Sequence, residues 1–271
     1  MSDVTTRLKY GKLPSRQQAV HLRFSDLANT SKMPTPPADF GHERLVPQWG
    51  MLLNDRLGDC AIAGSLHETM LWNAEAGKTV NLDTTLTAHN SAAVNYHLVT
   101  GYKPGPEIEN PDDAGQNPTD QGTDMVHLCS FRRRYGLIDA SKTRHKVGAY
   151  IALEPGNWEQ LKYATYYFDG VGIGIQVPDV YQQDFAEHKP WDKVANPNIE
   201  GGHYITAVAW HNNMVNLVTW GSIQPMTQAG YEEFNDETYA YLTQEKLKSG
   251  VDLEGFNFKQ LTADLQDLTG V

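Results

Sequence analysis

The chain has 271 residues, 40% of them hydrophobic, 20% charged and 10% aromatic, with two cysteines. That length suffices for one large domain or two lobes sharing a cleft, and two cysteines are too few to build a disulfide-stapled miniature. Its 22 Lys and Arg against 33 Asp and Glu give a formal charge of −11, a field that repels nucleic-acid phosphate and anionic lipid. Neither nucleic acid nor a membrane is an expected partner. The opening MSDVTTRLKYGK lacks the apolar core of a signal peptide, and no segment reaches the roughly 20 apolar residues of a membrane span. Synthesis in a cytoplasm is expected, where Cys60 and Cys129 are free thiols rather than a disulfide.

In chain order, residues 1–46 carry few apolar repeats and contain Pro34, Pro36 and Pro37, which keep the backbone extended. They read as an arm that wraps a core, with a propeptide as the competing idea. In 60–76, Ala61, Ile62, Leu66, Met70 and Leu71 recur at helical spacing, with Asp59 as a candidate N-cap and Gly77 just after. The segment 104–124 holds six acidic residues, several prolines and no Lys or Arg, and reads as a long solvated loop. A second helix, 124–135, is expected to be capped by Thr123 and stopped by Gly136. Cys129 lies on it beside Val126 and Leu128, as a core thiol.

A third helix (157–168) precedes an alternating strand, GVGIGIQV (170–177). YITAVAW (204–210) and MVNLVTWG (214–221) read as a hairpin joined through His211, Asn212 and Asn213. TYAYLT (238–243) is a last strand, and a short amphipathic helix is expected near 258–268. Helices dominate the first half and strands the second, which predicts an α+β protein with two unlike lobes.

Two residues stand out chemically. Cys60 opens a helix, where unpaired N–H groups and the dipole favour thiolate, the placement of a nucleophile. His203 follows Gly201 and Gly202, which allow backbone or substrate to come close, and begins an apolar strand where an imidazole has little packing value. A distant histidine is what a Cys/His pair needs, since the partners meet in the fold. Other signals are weaker. His67-Glu68 has Leu71 where a zinc motif needs its second histidine, and His67 lies about 10 Å along the helix from Cys60, too far to be its base. GVGIGI is a strand followed by Pro178, not the turn into a helix of a nucleotide fold. The acidic loop lacks the spacing of an EF-hand. No cofactor or metal is expected.

NDRLGDCAIAG resembles the active-site segment of papain-like cysteine peptidases, in which an oxyanion-hole glutamine stands six residues before the cysteine that opens the central helix. GGHYITAVAW followed by VNLVTWG resembles their histidine strand and the next, Trp-Gly strand, and Tyr-Gly-Leu-Ile (135–138) their second helix exit. PPADFGHERLVPQWGMLLND is similar to their mature N-terminal stretch, so the likeness runs over roughly 36–243.

The resemblance implies a two-lobed papain-like fold, with a helical lobe over about 47–145 and an antiparallel β-sheet or barrel lobe over about 146–245. The 1–46 arm and a 246–271 tail lie outside it. It also implies Cys60 as nucleophile, His203 as general base and then acid, and the Cys60 N–H and Asn54 as oxyanion donors, each donor being worth about 3 kcal/mol. The family's imidazole-orienting asparagine falls at Val218, which has no polar group. Asn216, on the same strand face, and Asp236, from a neighbouring strand, are the candidates to replace it. A Cys60–His203 dyad would hydrolyse a polypeptide or other amide through a thioester acyl-enzyme. The alternative is of another class, because NDxxGDC and VTWG also resemble uncharacterised bacterial and phage proteins. It is a weak or inactive structural protein, a virion-associated or assembly component forming homo-oligomers or larger assemblies through its arm.

Overall fold

The computed structural model describes residues 8–243, 257, 259–261 and 263. Residues 8–46 form a strap along the surface. It contains a one-turn helix, α1 (Phe24–Leu27), and a two-residue strand, β1 (Phe40–Gly41). The Gln17 amide fixes its middle, donating to the Leu153 carbonyl (2.6 Å) and accepting from the Thr238 N–H (2.6 Å). Phe24 and Leu27 are buried in the core, so the strap is part of the packed structure.

Helix α2 (Cys60–Glu75) follows, buried on most sides as expected of a central helix. Helix α3 (Ser91–Thr100) is not among the elements expected from sequence. Asn90 caps it by accepting from the Ala92 N–H, and Gly101, at φ 81°, ends it. Helix α4 (Met125–Arg134) is capped by Asp124, whose carboxylate accepts from the His127 N–H, and not by Thr123 as expected. A ribbon of β2 (Leu137–Ile138) and β3 (Arg144–His145) leads to β4 (Val147–Ala152), α5 (Trp158–Phe168) and β5 (Val171–Pro178). After α6 (Tyr181–Ala186) come β6 (Ile199–His211), β7 (Met214–Thr219), β8 (Ser222–Met226), α7 (Gln228–Phe234) and β9 (Asn235–Thr243). The helix expected near 258–268 lies largely outside the described residues. Of those described there, 259–261 are helical and Leu261 is buried.

The main sheet is antiparallel, in the order β4-β9-β5-β6-β7-β8, and the path does not close on itself among the described residues. The second lobe is therefore an open sheet, not a barrel. Strand β5 pairs with β6 as far as Ala207, and beyond it β1 takes up the same strand at Ala209 and Trp210. The β6–β7 turn is Asn212-Asn213, both at positive φ (53° and 57°), as a two-residue hairpin of right-handed twist requires.

Strand β5 shows how sequence places the site. Val171, Ile173, Ile175 and Val177 point into a core shared with α5, and the alternate glycines leave space on the other face, toward α2. A Cβ on Gly172 would lie 1.5 Å from the Tyr204 hydroxyl. That hydroxyl donates to Glu68 (2.8 Å), which also pairs with Arg132 of α4, so a buried ionic cluster ties α2 and α4 to β6.

Candidate active site

Cys60 is the first residue of α2 and is 1% exposed. Asp59 occupies the N-cap position, but its carboxylate accepts from Asn54 (3.3 Å) instead of capping the helix. Burial, with Asp120 nearby, holds the Asp59 carboxyl well above the usual carboxylate range. The helix start was expected to favour thiolate, yet burial pushes the Cys60 thiol up to about 12. Backbone hydrogen bonds from Tyr204 and from Gly11 act in the opposite direction and are outweighed.

His203 is fully buried on β6, immediately before Tyr204. Its Nε2 is 2.7 Å from the Thr219 hydroxyl, and its Nδ1 is buried with no hydrogen-bond partner. With Nε2–H donating to Thr219, Nδ1 carries the lone pair that can take a proton. Burial lowers the imidazole to about 3. Trp220 stacks on the ring at 4.6 Å, and Tyr10 meets it edge-on at 5.6 Å.

The partner of His203 is thus Thr219, and neither of the residues the sequence suggested. Asn216 pairs with Ala209, farther along β6, and Asp236 is engaged with Lys12 (2.9 Å) and Gln176 (2.6 Å). Period two puts residues 218 and 220 on one face and 219 on the other, but β7 ends at Thr219 and the chain turns through Trp220 (φ 44°) and Gly221 (φ 74°). The turn lets consecutive residues supply a hydroxyl to one ring nitrogen and an indole to the ring face.

The groove over these residues is filled by the strap. Gly11 and Lys12 both donate their N–H to the Gly202 carbonyl (3.2 and 3.0 Å). Gly11 accepts from the Thr123 N–H (2.7 Å), and Leu13 donates to the Thr123 carbonyl (3.0 Å). A Cβ on Gly11 would lie 1.8 Å from the Gly58 carbonyl, and one on Gly202 would lie 2.4 Å from that of Lys12, so this crossing requires glycine on both sides. The Asn54 amide donates to the Lys9 carbonyl (3.4 Å) and to Leu57 (3.3 Å), and the Trp220 indole N–H also reaches Lys9 (3.3 Å). Consecutive strap residues therefore lie over both parts of the site, Tyr10 on His203 and Gly11 on Gly58, two residues before Cys60.

No protein-family description matches the chain, and no curated protein does. Solved structures do. Xylellain, a cysteine protease from Xylella fastidiosa, superposes with a TM-score of 0.53 at 14% identity, over 88% of this chain and 98% of its own. The proform of the ragweed pollen cysteine protease Amb a 11 gives 0.53 at 12%, over 79% and 68%. The Carica candamarcensis cysteine protease CMS1MS2, in complex with E-64, gives 0.50 at 10%, over 77% and 99%. The chain has the papain-like cysteine-protease fold. In this papain-like frame the expected order of elements holds from α2 to β7.

The other sequence candidates find structural places. His67 Nε2 is 3.1 Å from the Gly50 carbonyl, and burial lowers the imidazole to about 4. Cys129 is buried and unpaired, 3.4 Å from the Tyr241 hydroxyl, and burial pushes it up to about 12. Loop 104–124 is less solvated than expected: Glu107 and Ile108 are buried, and Asp120 accepts from the Gly58 N–H (3.0 Å) beside the groove. Among the described residues, His42, Glu75 and Asp169 bring metal-capable atoms within 4.8 Å of one another. The 2.6 Å His42–Glu75 contact is a hydrogen bond joining the strap to α2. Among the described residues no helix is long and apolar enough to cross a membrane.

Proposed function

We propose that this chain is a cysteine hydrolase of peptide or other amide bonds, held latent by residues 8–13. Cys60 gives its thiol proton to His203 Nδ1, and its sulfur attacks the substrate carbonyl. The oxyanion receives the Cys60 N–H and the Asn54 amide. Collapse expels the amine, which takes the proton from His203, and leaves a thioester. Water then gives a proton to His203 and hydroxide to the acyl carbon, and the sulfur leaves and recovers its proton. Thr219 is the positioning residue that fixes the imidazole tautomer.

The observation that carries this reading is the strap: a groove ending at Cys60 and a half-free imidazole already binds extended polypeptide through the backbone of Gly202 and Thr123. Asn54 already donates to a carbonyl there, as an oxyanion donor must. A thiol near 12 and an imidazole near 3 are both neutral and unreactive, as expected while the groove is covered. The same neutral pair favours the second reading, an inactive binding protein that keeps the fold.

A full-length Gly11→Val protein discriminates the two, because its side chain cannot fit against Gly58 while the strap is in place. Iodoacetamide should then label Cys60 rapidly and fluorogenic peptides should be cleaved. The hydrolase reading fails if Gly11→Val labels no faster than Gly11→Val/His203→Ala.

A further inference from the structure

Besides Tyr10, the strap inserts the Lys12 side chain into the groove. The Lys12 side chain is 0% exposed, and its ammonium donates to Asp236 (2.9 Å), Glu237 (3.0 Å) and the Leu13 carbonyl (3.1 Å). Asp236 and Glu237 are neighbours in sequence, and side chains at such positions in a regular strand point to opposite faces. Here the β5–β9 register shifts between Gly174, opposite Glu237, and Ile175, opposite Asn235. Asp236 is the extra residue of this bulge, and the bulge turns both carboxylates toward one cavity.

That cavity is built in further ways. Gly174 forms its wall, and a Cβ there would lie 2.8 Å from Lys12 Cδ, so the lysine stem runs where a side chain would stand. Tyr239 donates to Glu237 (2.6 Å) and Gln176 to Asp236 (2.6 Å), which holds each carboxylate in place by an oxygen. Asp236 Oδ1 is buried with no partner. It is an acceptor that lysine leaves unused and that the wider donor fork of arginine could reach. Desolvating these charges is a poor way merely to fasten a strap that already has its backbone bonds, since an apolar side chain would anchor it with no such penalty.

We propose that this cavity is the side-chain specificity pocket of the groove, and that the substrate is a polypeptide presenting arginine or lysine to Asp236 and Glu237, a residue the strap imitates with Lys12. The proposal rests on the hydrolase reading for what happens after binding, but the pocket itself is defined by recognition. Its position suits the task, because Lys12 adjoins Gly11, which packs against Gly58, two residues before Cys60.

The test uses full-length Gly11→Val/Lys12→Ala/Cys60→Ala protein, in which the strap is displaced and turnover prevented. Fluorescent LKYGKLPS, the sequence of residues 8–15, is titrated by anisotropy beside peptides with arginine or norleucine in place of the second lysine. The lysine and arginine peptides should bind at least about tenfold more tightly than norleucine, with the preference lost in an added Glu237→Gln. Equal binding of norleucine, a preference that survives Glu237→Gln, or no binding by any peptide overturns the pocket. Thiol labelling of Cys60 in the Gly11→Val protein is read separately. Selective binding without labelling overturns the hydrolase reading alone, and labelling without selectivity overturns the pocket alone.

Discussion

Cys60 and Cys129 are both unpaired, both buried and both pushed up to about 12 by burial, yet they are enclosed by different things. Around Cys129 stand Tyr241, Arg132 and the Glu68 cluster, all on regular elements of the core. At the start of the Cys60 helix lies the backbone of Gly11, packed on Gly58, on a strap held at this point by backbone hydrogen bonds and one buried lysine. The lesson is that equal burial does not mean equal chemical prospects. A thiol sealed by the core is inert for as long as the fold lasts, whereas one sealed by a short stretch of backbone is inert for as long as that stretch stays in place.

The largest expected effect breaks this symmetry directly. Displacing the strap with Gly11→Val should let Cys60 move from about 12 toward an ordinary cysteine value near 8.5, which raises its thiolate fraction at neutral pH by about three thousandfold. Mass mapping after timed iodoacetamide treatment should show that gain at Cys60, with Cys129 unlabelled. Equal gains at both would mean that the substitution has simply unfolded the protein.

The converse perturbation acts on the core. Arg132→Met leaves Glu68 buried without its cation, and breaking such a pair costs about 3–5 kcal/mol. Urea denaturation should show this loss. Cys129 labelling should rise in step with global unfolding, with the Cys60 rate in the strapped state otherwise unchanged. A Cys129 rate that rises without loss of stability would show that the core opens locally there.

The buried histidines divide in the same way. Both are lowered by burial, His203 to about 3 under the strap and His67 to about 4 under Gly50 and Trp49. Each is neutral in the fold and takes up a proton near 6.5 when unfolded, so each contributes stability that is present at neutral pH and lost as pH falls below 6.5. At pH 5 that loss is about 2 kcal/mol per histidine. In Gly11→Val, His203 should titrate close to 6.5 by NMR, and its share of the acid destabilisation should vanish. His67 should stay near 4. A His203 that remains near 3 would locate its cover in Trp220 and not in the strap.

Much of this was legible in the sequence because it rests on local pattern. The apolar spacing of 60–75, the alternation of 171–177 and the Asn-Asn turn each dictate one element, and the order of elements carried the fold. Cys60 and His203 stood out because each is chemically odd for its place. What stayed hidden depends on contacts between distant segments. Helix α3 went unread although Asn90 and Gly101 mark its ends. Lys12 looks like any charge in a polar arm until a bulge in β9 gives it two carboxylates. A helix start favours thiolate only where the sulfur is not sealed from water, and Cys60 is sealed by distant segments. Thr219 was missed because strand periodicity was carried one residue past the point where the strand ends.

Thr219 supplies the smallest and most specific effect. Its hydroxyl is the sole hydrogen-bond partner of the His203 imidazole among the described residues, and a threonine in place of a carboxamide offers one short, rotatable group where an amide would offer a longer reach. Thr219→Val keeps the shape and removes the hydroxyl, so in the Gly11→Val background Cys60 labelling should fall roughly tenfold. Thr219→Ser should restore it, and the pH profile of labelling should shift in valine and not in serine. A merely structural threonine would lower the amount of folded protein without moving that profile. If valine and serine instead label alike, the imidazole is held by Trp220 stacking alone, and the dyad needs no polar orienter.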